Sequence, residues 1–334
     1  MRARAVRIWI ALGIFAAAAI FFALWVGSSR IAPATVLRLV FLPDDGTASE
    51  VIHRLRWPRA MAAFATGGLL ALAGALMQVL LRNPLADPYV LGLSGGSAVG
   101  ALTAMILGLG SVLVGVGAFG GALLSMVIVF ALANRDLATA QATGDVDGSS
   151  RLILTGVVLA AGWSAVVTLM LTIAPEAELR GLLFWLMGDL GGVESYVPAL
   201  AALGVAVLVV YPLSREFNVM LRGPAVAHTL GVPVKRMRRI LYIVASIATA
   251  FAVTTAGTVG FVGLVVPHAL RLALGNDQRM LLPACALAGG ALLVIADTLA
   301  RSVIAPQQLP VGAVTAVIGV PTFMFLLLRA GTRR

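Results

Sequence analysis

The chain has 334 residues, 60% of them hydrophobic and only 11% charged, with a mean hydropathy of +1.01. So little charge cannot cover the surface of a soluble protein this long, so the surplus apolar residues face lipid. The formal net charge of +10 comes from 24 basic residues set in short loops, of which only Lys235 is lysine; that distribution follows membrane topology and argues against a nucleic-acid partner.

Long apolar runs, rather than short alternating strands, predict an all-α helical bundle. The first run, 8–27, follows the basic start MRARAVR. It is too long for a signal-peptide core and reads as an uncleaved first span. Nine more lie at 60–81, 89–108, 112–133, 152–173, 195–213, 240–256, 258–274, 281–300 and 310–328. Together they form one transmembrane domain over 1–334 with ten spans. An even number of spans puts both termini on one side. Seventeen basic residues fall on that side; Arg30, Arg38, Arg54, Arg56, Arg59, Arg180 and Arg301 make up the seven on the other. The bias predicts cytoplasmic termini. Between spans, 174–192 predicts a short helix on the outer surface, and 214–239 is the longest and most basic insertion, on the cytoplasmic side.

Several motifs invite chemistry and do not sustain it. Leu93–Ser97 spells LSGGS, the signature of ATP-binding cassettes, but a phosphate loop needs a lysine after glycine and the one lysine follows Val234. Small residues at Gly96 and Gly100, and at Gly117 and Gly121, instead predict close helix packing. Ser94 within GLSG matches an intramembrane serine protease, but His53 and His228 fall in loops and His268 near a span end. Cys285 is alone, so neither an internal disulfide nor a cysteine zinc site is available. Asp297 interrupts an apolar run and is expected to pair with Arg301, one turn on. A proton-coupled secondary transporter would have to use that carboxylate. Arg82-Asn83-Pro84-Leu85-Ala86-Asp87-Pro88 reads as a tight cytoplasmic turn, because two prolines bar a continuous helix. Arg54, Arg56 and Arg59 form a basic cluster at the outer head of the second span, suited to anchoring or to an acidic partner.

These motifs together resemble a family. Residues 53–101, with RWPR and NPLADP, resemble the second and third spans of FecCD-type permeases, the membrane subunits of ABC importers for iron chelates, haem and cobalamin. Residues 256–301, with GFVGLVVPH, resemble the eighth and ninth spans, and 310–330 the last. The likeness runs from about residue 50 onward. Tryptophan stands where relatives commonly have leucine in RLPR, and LSGGS is richer in glycine than usual.

The resemblance implies a type II ABC importer permease: ten spans, a homodimer with the path lined by spans five and ten, two ATP-binding cassette subunits beneath, and a periplasmic substrate-binding protein above. ATP and magnesium would reside on the partner subunit, with no cofactor and no catalytic residue in this chain. Carried over by position, Arg56, Arg59 and Arg301 would dock the binding protein. Asn83, Leu85, Ser149 and Ser150 would narrow the cytoplasmic end of the path. Arg222, Ala227, Leu230, Gly231 and Pro233 would couple to the ATPase. The setting is a bacterial inner membrane. Haem is the expected cargo, because Arg180 and the outer arginines would attract propionates; ferric siderophores and cobalamin are alternatives on the same scaffold. The path segments offer no central His, Cys or Tyr ligand, and Met170 and Met324 read as packing residues.

Overall fold

A computed structural model describes the backbone of residues 2–27, 31–139 and 147–331, with side chains over 4–27, 31–132, 152–326 and 328. Among the described residues every regular element is helical. The chain opens with α1 (Arg2–Trp25), α2 (Pro33–Phe41) and α3 (Thr47–Glu50), and a wide π turn at Val51–Arg56 leads into α4 (Trp57–Leu80). Then come α5 (Leu93–Ile106), α6 (Ser111–Thr139), α7 (Asp147–Ile173), α8 (Glu176–Leu186), α9 (Val197–Val210), α10 (Ser214–Met220) and α11 (Pro224–Thr229). The last third holds α12 (Val234–Ala256), α13 (Val262–Leu274), α14 (Gln278–Ser302) and α15 (Val311–Gly331).

Among the described residues, six helices are long and apolar enough to cross a membrane. A seventh span is the pair α9 and α10, bent by 66° at the break that holds Pro212, and three further apolar helices, α5, α13 and α15, supply the rest of the ten segments. Of these, α5 and α13 are short for a reason. The chain enters α5 through a single 3-10 turn at Pro88–Leu91 and α13 through the non-helical stretch 257–261, and these stretches meet: the Val259 amide donates to the Tyr89 hydroxyl at 3.1 Å. Irregular backbone at membrane depth is tolerated where protein buries it. The second to third connection is thus more than the tight turn expected from its prolines. It turns at 82–86 and climbs back before α5 begins.

The core is built on α4, which is apolar all round and buried along most of its length. Glycines let neighbours approach it backbone to backbone. A Cβ on Gly67 would come within 2.2 Å of the Gly289 carbonyl on α14, and one on Gly74 within 1.8 Å of the Gly263 carbonyl on α13. The small-residue reading of LSGGS holds in the same way. Gly96 lies against the Gly121 carbonyl and Gly100 against that of Gly117, with clearances of 2.4 Å and 2.0 Å for an added Cβ. Packing without a hydrophobic drive between helices depends on such approach. By contrast α7 and α15 show long apolar faces: Leu154, Val157, Val158 and Leu169 on one, Val317, Val320 and Met324 on the other.

Candidate functional site

Three places carry the chemistry of the chain, one at each end of the bundle and one in the cavity beside α8. At the outer end, Pro58 in the first turn of α4 lacks the N–H that a regular helix would use, and the preceding turn widens to a π turn. That geometry directs Arg56 and Arg59 to different partners. Arg56 is 4% exposed; its Nη1 donates to the carbonyls of Leu24 at 2.6 Å and Trp25 at 2.9 Å. Arg301 donates from Nη2 to the Ala23 carbonyl. The last turn of α1 has no basic residue of its own, so two guanidiniums from elsewhere satisfy its open carbonyls.

Arg59 takes Asp297, which is 2% exposed, in a bidentate grip. Its Nε lies 2.9 Å from Oδ2 and its Nη2 2.8 Å from Oδ1. The other guanidinium nitrogen, Nη1, donates to the Gln308 amide oxygen at 3.0 Å on the exposed side. Asp189 lies within electrostatic reach of the same guanidinium. The expected Asp297–Arg301 pair exists at 3.9 Å but is the weaker of the two. Sequence reasoning missed Arg59 as the main partner, since 238 residues separate the two.

The three arginines assigned to docking are therefore turned inward in the isolated chain, where they brace α1, α4 and α14. A buried carboxylate demands such partners, since an unpaired one is costly. Among the described residues, Arg38 and Arg54 are exposed on this rim and pair at the surface with Asp44 at 2.8 Å and Glu50 at 2.9 Å.

Beside α8 the outer surface opens into a cavity of about 1070 Å³, lined among others by Arg180, Phe184, Trp185, Asp189, Gln307 and Gln308. The predicted outer helix over 174–192 is α8, and Arg180 lies over the Phe184 ring at 5.6 Å.

At the inner end, the Asn83 side chain accepts from the Leu85 amide at 2.9 Å and its carbonyl from the Ala86 amide at 3.1 Å, which closes the turn and leaves Leu85 exposed at the tip. Asp87 caps the next turn by accepting from the Tyr89 amide at 2.8 Å. Burial pushes its carboxyl up to about 6, against the opposing effect of that backbone bond. Ser149 and Ser150 fall in the first turn of α7, and their side chains lie outside the described residues.

The coupling segment 214–239 is α10, α11 and the start of α12. Gly223 and Gly231 take φ of 109° and 77°, the left-handed region that glycine adopts at least cost, and they set the two corners of α11. Leu230 (64% exposed) and Gly231 form the tip, with Arg222 and Pro233 exposed beside it. Ala227 is fully buried and serves packing: its carbonyl accepts from the Val232 amide at 2.9 Å. Arg82 Nη1 lies 3.8 Å from where a Cβ on Gly223 would stand, so the turn at 82–86 and the coupling segment lie side by side.

A family model of the FecCD transport family matches residues 15–329. The chain belongs to the FecCD transport family. It is a membrane-embedded permease subunit of an importer of the metal-chelate type. Among curated relatives, the cobalamin import system permease protein BtuC of Halobacterium salinarum is 45% identical over 84% of this chain and 74% of its own length. The vitamin B12 import system permease protein BtuC of Escherichia coli O127:H6 is 39% identical over 88% of this chain and 89% of its own. A solved structure described as an inward-facing conformation of a metal-chelate type ABC transporter superposes with a TM-score of 0.83 at 26% identity, covering 97% of this chain and 99% of that one. A chain of PsaBC from Streptococcus pneumoniae, solved in complex with Fab, at 15% identity and a TM-score of 0.54 over 83% of this chain and 92% of its own, shares the fold alone. Ten helical segments and the type II architecture thus stand for this FecCD permease as its sequence implied.

Proposed function

We propose that this permease carries a corrinoid of the cobalamin class from periplasm to cytoplasm, driven by ATP hydrolysis on separate subunits. The observation that carries the cargo is the identity of 45% and 39% to two permeases named for cobalamin and vitamin B12 import, across most of each chain. The haem expectation rested on charge alone, and the relatives favour the cobalamin alternative over it. The working unit is two copies of this chain, two ATP-binding cassette subunits holding ATP and magnesium, and a periplasmic binding protein. It sits in the inner membrane with both termini cytoplasmic.

In this reading the exposed faces of α7 and α15 meet across the two copies and enclose the path. The tip formed by Leu230 and Gly231, with Arg222 and Pro233, enters the ATPase, and Ala227 holds α11 in shape. Motion there reaches the turn of Asn83 and Leu85 where Arg82 lies beside Gly223, and Ser149 and Ser150 complete the inner constriction. The binding protein docks on the outer rim. Arg56 and Arg301 hold that rim together, Arg59 offers its outer edge, and Arg54 and Arg38 supply exposed charge.

The deciding experiment is ATP-driven uptake in proteoliposomes containing the permease, its ATPase and its binding protein, with cobalamin, haem and a ferric siderophore offered in turn. Cobalamin uptake that stops without ATP supports the reading. Uptake of haem or siderophore alone sinks the corrinoid assignment, and uptake without the ATPase sinks the mechanism.

A further inference from the structure

Arg59 is a partly buried arginine whose guanidinium has two working edges. The Nε and Nη2 edge is filled by Asp297. The Nη1 side faces outward and carries the amide oxygen of Gln308, an exposed residue, at 3.0 Å. An amide oxygen is a neutral acceptor. A carboxylate in the same place would make charge-assisted, bidentate bonds, shorter and about twice as strong. The local charge also favours such an exchange. Arg56, Arg59 and Arg301 cluster around Asp297, with Asp189 within reach, so the cluster holds more cations than anions. An incoming anion finds a site already short of negative charge.

Gln308 is also the lever of a joint. It lies in the segment between α14 and α15, which is tied back to α14 by the Leu309 amide on the Ala300 carbonyl at 2.9 Å. Three residues on, the Val311 amide donates to the Gly188 carbonyl at 2.9 Å, just past the end of α8. Gly312 is pressed so close to the same turn that a Cβ there would lie 2.2 Å from the Met187 carbonyl. The start of α15 and the exit of α8, which continues from α7, therefore share one backbone contact. Gln307 and Gln308 further line the outer cavity opposite Arg180 and Phe184 of α8. Gln308 thus sits both on the cavity rim and three residues from the joint between α8 and α15.

We propose that Gln308 is a placeholder on Arg59, that an acidic side chain of the periplasmic partner displaces it on docking, and that the freed segment releases the α8–α15 joint toward transport. Asp297 is the positioning residue: it fixes the inner edge of Arg59 so that only the outer edge exchanges ligands. The inference rests on the reading of the outer rim as the docking surface and adds how docking is felt inside. Coupling of this kind needs a two-state element that both sites bias, and the exchange of Gln308 for a partner carboxylate supplies one.

The test uses the full permease–ATPase complex in lipid nanodiscs, with and without the binding protein. Gln308→Glu places a permanent carboxylate on Arg59. It is expected to raise basal ATPase activity without the binding protein by about fivefold, to shrink the further stimulation by the same factor, and to weaken partner binding about tenfold. Gln308→Met keeps the length of the side chain but removes the acceptor. It is expected to tighten partner binding about fivefold, since nothing has to be displaced. If Gln308→Glu weakens partner binding but leaves basal activity at the wild-type level, the relay is overturned while the docking reading stands. If neither Gln308 variant nor Arg54→Glu alters partner affinity, the docking reading itself fails, and the relay with it.

Discussion

The two ends of this molecule treat charge in opposite ways. At the outer end, arginines are drawn inward and consumed by the fold: Arg56 and Arg301 close the last turn of α1, and Arg59 neutralises Asp297. At the inner end, basic side chains such as Arg222 and Arg236 stay at the surface around a tip of Leu230 and Gly231 held by two left-handed glycines. The outer end thus spends Arg56, Arg59 and Arg301 on stability and leaves one guanidinium edge for a partner, whereas the inner tip keeps its shape with backbone geometry and, although Arg238 is buried behind it, leaves Arg222 and Arg236 exposed. A substitution in the first region should be felt as lost protein, and one in the second as lost transport from intact protein.

The sharpest way to break this contrast is Asp297→Ala. It leaves Arg59 and Arg301 buried without their counter-ion, and breaking a buried pair costs about 3–5 kcal/mol. The expected outcome is a large fall in membrane yield and in the unfolding midpoint in detergent. A folded, transport-competent Asp297→Ala protein would show that the outer cluster is not structural. Next in size is Gly74→Leu on α4, where even a Cβ meets the Gly263 backbone; overpacking of this kind costs about 1–3 kcal/mol or more, read by the same thermal assay.

Leu230→Asp probes the other end. An exposed site away from the core shifts stability by no more than about 0.5 kcal/mol, so the unfolding midpoint should hold while ATP-driven uptake falls at least about tenfold. A lowered midpoint with normal uptake per folded molecule would reverse the contrast. The smallest effect is expected at Asp87. Its carboxyl is raised to about 6, above its unfolded value, so the ionised form is disfavoured in the folded protein. That penalty is present above pH 6 and fades as pH falls through 6 toward 4. Asp87→Asn keeps a side-chain oxygen for the Tyr89 amide and removes the ionisation. Its unfolding midpoint should exceed the wild type at pH 7.5, with the gap narrowing by pH 5; a gap independent of pH would remove ionisation as the cause.

Much of the architecture was legible because a spanning helix must satisfy its own backbone and face lipid along about 20 residues, which marks each segment by length and hydropathy without reference to any other. The small residues of LSGGS announced close packing for the same reason, as a local property of one helix face. What the sequence left open is every contact between distant segments. Nothing local distinguishes Arg59 from Arg301 as the partner of Asp297, and spacing favoured Arg301, one turn away on the same helix. Only the packing of α4 against α14 brings Arg59 to the carboxylate, and only the packing of α1 beside both turns Arg56 and Arg301 away from the surface. The path of the chain between α4 and α5 belongs to the same class: prolines barred a continuous helix there, but only the fold brings Tyr89 to the Val259 amide. Periodicity and composition act along the chain and can be read from it, whereas ion pairing acts through space and waits on the fold.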